Sequence, residues 1–127
     1  MLKNSVAGAA AQEANTTAIG SGAEAVRADA LAIGSNAFAF DFNNVAIGTG
    51  ARSTATNSTA FGNQAIASGT SSTAIGQNSQ ATGAAGLALG VQSWARGDNS
   101  TSLGVASLAE GARSCVDGPR CARVFLR

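Results

Sequence analysis

Acid–base or nucleophilic chemistry in this chain would fall to carboxylates or thiols, because its 127 residues include no histidine and no tyrosine. The carboxylates are Glu13, Glu24, Asp29, Asp41, Asp98, Glu110 and Asp117. They are scattered, and no two stand at a spacing that suggests a general acid with its base. The thiols are Cys115 and Cys121. A structural zinc ion wants four ligands, so two cysteines without histidine fall short. No Gly-x-Gly-x-x-Gly or Walker-type string opens a helix, which leaves phosphate binding without support. Charged residues make up 12% of the chain and the net charge is +1. That balance argues against an electrostatic nucleic-acid binder. The expectation is therefore no catalytic residue, no cofactor and no metal, with the carboxylates as solvated surface charge.

What the chain does carry is a strict period. A small residue, a large apolar residue and a glycine recur every 14 residues: Ala18-Ile19-Gly20, Ala32-Ile33-Gly34, Ala46-Ile47-Gly48, Ala60-Phe61-Gly62, Ala74-Ile75-Gly76, Ala88-Leu89-Gly90 and Ser102-Leu103-Gly104. Such a period means a stacked repeat architecture. Fourteen residues are too few for a helical pair but suit two short strands and two tight turns. Counting from Asn15 as position 1, positions 3 to 5 read as one strand and positions 9 to 11 as a second. The position-6 glycines (Gly20, Gly34, Gly48, Gly62, Gly76, Gly90 and Gly104) and the position-13 glycines of the last four coils (Gly69, Gly83, Gly97 and Gly111) are expected to supply positive φ at the turns. The fold class is all-β, a parallel β-solenoid whose coils stack at roughly 4.8 Å.

Positions 4, 9 and 11 are Ala or Ser throughout the seven coils, and position 6 is Gly. Placed inside, they make a thin coil with a small core. Ile19, Ile33, Ile47, Phe61, Ile75, Leu89 and Leu103 at position 5 then point outward as an apolar ladder. A ladder of that kind asks for a partner, and self-association about an axis along the rod, as a homotrimer, would enclose it. The opposite arrangement, with this ladder inside and the alanines outside, is the rival. Position 10 is the variable outward column: Glu24, Phe38, Arg52, Ile66, Gln80, Trp94 and Leu108. Phe38, Arg52, Ile66, Trp94 and Leu108 are the surface-binding candidates, with Phe40 and Phe42 beside them; the alternative is packing against a neighbouring chain. Asn15, Asn43, Asn57 and Asn99 at position 1 read as turn or ladder residues.

NNVAIGTGARSTAT (43–56) and SSTAIGQNSQATGA (71–84) give the motif its fullest form, and seven in-register copies carry it. This motif resembles the YadA-like head domain of trimeric autotransporter adhesins over residues 15–112. The resemblance implies a left-handed parallel β-roll, three chains per head and display at the bacterial cell surface. It also implies outer-membrane anchoring through segments absent from this chain, and binding to host extracellular matrix, host cells or other surfaces. A neck motif, a heptad stalk, anchor strands and a signal peptide are not seen, and no stretch approaches the ~20 apolar residues of a membrane helix. Membrane insertion by this segment is thus not expected.

The expected organisation is a lead-in with a partial coil over 1–14, seven coils over 15–112, and a tail over 113–127. The partial coil rests on Ala9 and Ala11, which fall on positions 9 and 11. The tail keeps Gly118 on position 6 but has Asp117 where Ile or Leu belongs. A degenerate coil, a cap and a disordered end all remain open for it, as does a Cys115–Cys121 disulfide in an exported protein. For the whole chain, a surface adhesion module is the leading reading. An ice-binding solenoid is disfavoured because the position-3 column alternates Thr with Leu31, Val45 and Leu87. A spacer or fibre without a specific ligand is a further alternative, and an enzyme the weakest.

Overall fold

The computed structural model describes residues 3–5 and 8–117. It is a parallel β-solenoid of two facing sheets. The first sheet takes positions 3 to 5 of each coil: β1 (Lys3–Ser5), β3 (Thr16–Ile19), β5 (Leu31–Ile33), β7 (Val45–Ile47), β9 (Thr59–Phe61), β11 (Thr73–Ile75), β13 (Leu87–Leu89), β15 (Thr101–Leu103) and β17 (Cys115–Asp117). The second takes positions 10 and 11: β2 (Ala10–Ala11), β4 (Glu24–Ala25), β6 (Phe38–Ala39), β8 (Arg52–Ser53), β10 (Ile66–Ala67), β12 (Gln80–Ala81), β14 (Trp94–Ala95) and β16 (Leu108–Ala109). Every pairing is parallel, and from β2 onward each residue pairs with the one 14 places on, as in Ile33↔Ile47 and Phe38↔Arg52. No element among the described residues is a helix long and apolar enough to cross a membrane.

Two four-residue turns close each coil. In the first, the N–H of position 9 donates to the carbonyl of position 6, as in Ala51 N to Gly48 O at 3.1 Å. In the second, the N–H of position 2 donates to the carbonyl of position 13, as in Ser58 N to Ala55 O at 3.1 Å. The third residue of each turn sits at positive φ, as a type II turn requires. Those third residues are positions 8 and 1, and many of them are not glycine: Asn78 has φ 57°, Gln92 60°, Ala106 56°, Asn43 57°, Ala85 53° and Arg113 60°.

This corrects the expectation for the position-13 glycines. Gly69, Gly83, Gly97 and Gly111 are not in the left-handed region. Gly69 is small for another reason: a Cβ there would collide with the carbonyl of Gly83 in the next coil. The position-6 glycines do have positive φ, from 108° at Gly104 to 143° at Gly62, but they open the turn rather than form its corner. At Gly48 an added Cβ would lie 2.5 Å from the oxygen of Gly62.

Alternation along the strands settles what is inside. The alanines at positions 4, 9 and 11 are essentially inaccessible, including Ala18, Ala46, Ala51, Ala67 and Ala95. The arrangement with the Ile ladder inside is thereby excluded. Position 2 is a further interior column that the sequence reading leaves unassigned. It holds Thr16, Ala30, Asn44, Ser58, Ser72, Ser100 and Ser114, all buried. Asn44 is satisfied within the wall: its amide donates to Ala55 O at 2.6 Å and Ser58 Oγ at 3.2 Å, and its oxygen accepts from the Asp41 N–H. Ser53 Oγ in turn donates to Ser58 O at 2.7 Å. Buried polar atoms ordinarily find such partners, but the buried hydroxyls of Ser72, Ser100 and Ser114 in this column have none among the described residues.

The ends extend the lattice. Ala9 and Ala11 pack against the core, as the partial coil requires. β1 adds the other half of that coil, pairing Lys3↔Thr16 and Ser5↔Ala18, an offset of 13 rather than 14. At the other end β17 pairs with β15, matching Cys115 to Thr101 and Val116 to Ser102. Val116 is buried at 2% exposure, inside the wall. Gly118 and Cys121 lie outside the described residues.

Candidate functional site

Because strand neighbours are 14 residues apart, each position of the repeat becomes a column along the rod. On the first sheet, position 5 stacks Ile19, Ile33, Ile47, Phe61, Ile75, Leu89 and Leu103 in direct register. All point outward, with Phe61 50% exposed and Ile19 42% exposed. Position 3 lies parallel to it on the same outer surface, with Leu31, Val45 and Leu87 among its threonines. Together they form one broad, uncharged strip.

On the second sheet, position 10 stacks Glu24, Phe38, Arg52, Ile66, Gln80, Trp94 and Leu108. The phenylalanines of the second coil do not act as one group of three. Phe38 and Phe40 stack with ring centres 5.6 Å apart. The Arg52 guanidinium lies 5.4 Å from the Phe38 centre, whereas Phe42 is met by Arg27 at 5.7 Å. Arg96 covers Trp94 at 4.3 Å and reaches Glu110 at 3.7 Å. Each Arg–ring pair is a cation–π contact at a surface aromatic ring.

A groove of about 530 Å³ opens on this side, lined by Asn78, Gln80, Gln92, Trp94, Ala106, Ser107 and Leu108. Sequence reasoning singled out Trp94 and Leu108 but missed the position-8 side chains beside them. The signal was available: position 8 precedes an inward residue and so must lie on the surface edge of the same face.

The carboxylates serve the scaffold. Glu13 pairs with Arg27 at 3.1 Å, and its other oxygen accepts from the Ala28 N–H. Glu24 accepts from Gln12 at 2.7 Å and Asp29 from Asn15 at 3.2 Å. Asp41 accepts from Thr56 at 2.9 Å, and Asp98 from the Ala84 N–H at 2.9 Å. Most of these bonds join one coil to the next, as does Asn43 to Asn57 at 2.9 Å. Among the described residues no cluster of His, Cys, Asp or Glu could hold a metal ion.

With this geometry in place, comparison with known proteins is direct. No curated protein matches the sequence. Among solved structures, the collagen-binding domain of the Yersinia adhesin YadA superposes with a TM-score of 0.59 at 23% identity. The alignment covers 98% of this chain and 62% of that one, so the chain spans less than two thirds of its relative. At this identity the likeness establishes a shared fold. The YadA head domain repeat, a family defined by two copies of its unit, matches residues 11–37, 45–65, 67–93, 81–107 and 95–114. The starts at 67, 81 and 95 advance by one coil each, in phase with the observed strands. Those matches take in well over half of the sequence, and the chain belongs to the YadA head-domain family, whose role is adhesive and structural.

Proposed function

We propose that this chain is the adhesive head of a trimeric autotransporter, assembled from three copies as left-handed rolls. The first sheets face the common axis and the second sheets face outward, toward host matrix or cell-surface molecules. The position-5 ladder is the observation that carries this reading. Parallel sheets are ordinarily covered on both faces, and here the outer face of the first sheet carries Ile, Leu and Phe on every coil. Covering a half-exposed Ile or Leu contributes on the order of 1 kcal/mol. Seven rungs per chain, with Leu31, Val45 and Leu87 beside them, reach the scale needed to offset the entropy lost on association. The thin alanine core points the same way, since so small an interior leaves a monomer marginal.

Adhesion follows from the outward columns. The matched Yersinia domain is described as collagen-binding, and a long repetitive rod presents the same face many times over. Three such faces on one rod raise the effective concentration of weak contacts. The head would act at the bacterial surface, held to the outer membrane by segments other than this one. Light scattering of the purified chain tests the assembly: a mass three times 12.4 kDa is expected, and a stable monomer overturns it. Binding to immobilised collagen, laminin and fibronectin then tests adhesion, with saturable binding to at least one expected and none to any of the three counting against a matrix role.

A further inference from the structure

The geometry points to a subsite for a neutral saccharide in the groove of the fifth to seventh coils, around Trp94, Gln80 and Gln92. This inference rests on the first sheet being the assembly face, which leaves the second sheet open to solvent. The groove brings together two kinds of surface. Trp94 supplies an apolar ring to the lining, with the Arg96 guanidinium 4.3 Å from its centre; a sugar would stack on the ring face that Arg96 leaves uncovered. Asn78, Gln80 and Gln92 supply three side-chain amides, each with donors and an acceptor. No hydrogen bond within the described chain occupies those amides, unlike Asn15, Asn43 and Asn44, which are tied to neighbouring coils.

The chemistry of the lining selects among ligands. A pyranose ring presents an apolar C–H face to an aromatic ring and hydroxyls at its edge, each both donor and acceptor. Three amides arranged about an indole match that pattern. No charged side chain lines the groove, and the neighbouring Arg96 is shared with Glu110 at 3.7 Å; an anionic sugar or phosphate would have to compete with Glu110 for that one cation. A purely apolar ligand would leave the amides desolvated, which is costly. Ala106 lines the groove at the position that Asn78 and Gln92 hold in the two coils before it, so the side chain there is shorter. A volume of about 530 Å³ falls within the range of about 300–1,000 Å³ typical of small-ligand clefts.

Trp94 is the sole tryptophan of the chain, so its fluorescence reports this groove alone. The probes are N-acetyllactosamine, lactose and a mannose trisaccharide, with sialyllactose, heparin and a collagen triple-helical peptide as comparators. A saturable fluorescence change with at least one neutral sugar, up to about 10 mM, is the expected result, with weaker or no response to sialyllactose and heparin. Gln80→Leu and Gln92→Leu are each expected to weaken binding about tenfold, the scale of one lost hydrogen bond. Ser35→Ala, at an exposed position three coils from the groove, is expected to leave it unchanged. Circular dichroism confirms that the variants keep the fold. Absence of a response to all three neutral sugars overturns the proposal. So does an equal response to the anionic ones, a response to the collagen peptide alone, or binding indifferent to both glutamine substitutions. Light scattering on the same samples separates the two readings. A monomer that still responds retains the subsite and loses the trimer, whereas a trimer without response loses the subsite only.

Discussion

Replacing Gly48 by alanine tests the corner geometry most sharply, because a second glycine two residues away serves as its control. Gly48 has φ +128°, and a Cβ there would meet Gly62 O at 2.5 Å and Gly62 C at 2.6 Å. Both are backbone atoms of the next coil, so neither can move without opening the stack. Holding alanine in so sparsely populated a region costs about 1–3 kcal/mol. Forcing a methyl into closed packing costs about 1–3 kcal/mol more, for an expected loss of about 4 kcal/mol. Gly50 also has positive φ, +68°, but its added Cβ would meet only the flexible Cγ of Gln64 at 3.5 Å, an ordinary contact. The left-handed penalty of about 1–2 kcal/mol is there partly offset by the reduced freedom of the unfolded chain. Gly50→Ala should therefore cost about 1 kcal/mol or less; Ala106 already occupies the same position of its coil at φ 56°. Urea unfolding followed by circular dichroism measures both, with an unchanged m-value confirming a comparable transition. If the two variants unfold within about 1 kcal/mol of each other, coil-to-coil contact at position 6 is not what excludes a side chain there.

Ala85→Gly should stabilise the rod by about 0.5 kcal/mol, since Ala85 sits at φ 53° where glycine has no Cβ penalty; the same unfolding assay reads it. Asn44→Ala should destabilise by about 2–3 kcal/mol by stranding the Asp41 N–H and the Ala55 carbonyl, with Asn44→Ser, the residue Ser58 and Ser72 supply at that position, costing less. Ile47→Asp should weaken assembly far more than Arg52→Ala, because a charge buried in the apolar strip costs several kcal/mol; sedimentation at a series of dilutions compares them, and equal dissociation would place the interface elsewhere.

The repeat made the architecture legible because stacking turns a 14-residue period into columns, and alternation separates Ala46 from Ile47 without further information. Three things stayed hidden, each for a physical reason. The interior column at position 2 is filled mostly by Ser, Thr and Asn, which look like surface residues until the inward parity of position 4 is carried two residues back. The left-handed corners at positions 1 and 8 hold Asn, Asp, Gln, Ser, Ala and Arg as well as Gly, so composition did not mark them, while the position-13 glycines suggested a conformation they do not adopt. The groove beside Trp94 joins side chains from three coils, three of them at position 8, and includes the short Ala106, which is one letter among many. What repeats could be read from one chain; what interrupts the repeat needed three dimensions.

The uniform interior has a consequence for how such a protein can change. A globular core has a centre, and removing a segment leaves a hole there. Here each cross-section is bounded by near-identical neighbours, with Ala46 seated between Ala32 and Ala60. A block of 14 residues can be excised or duplicated and the cut faces rejoin in register. Reach then becomes an adjustable quantity, changing by about 4.8 Å for each block, and it can be altered without changing the alanine interior or the backbone register. A 13-residue change has no such freedom in mid-rod: it would send every following alanine outward and every isoleucine in. The structure tolerates that offset only at β1, where no coil precedes it among the described residues.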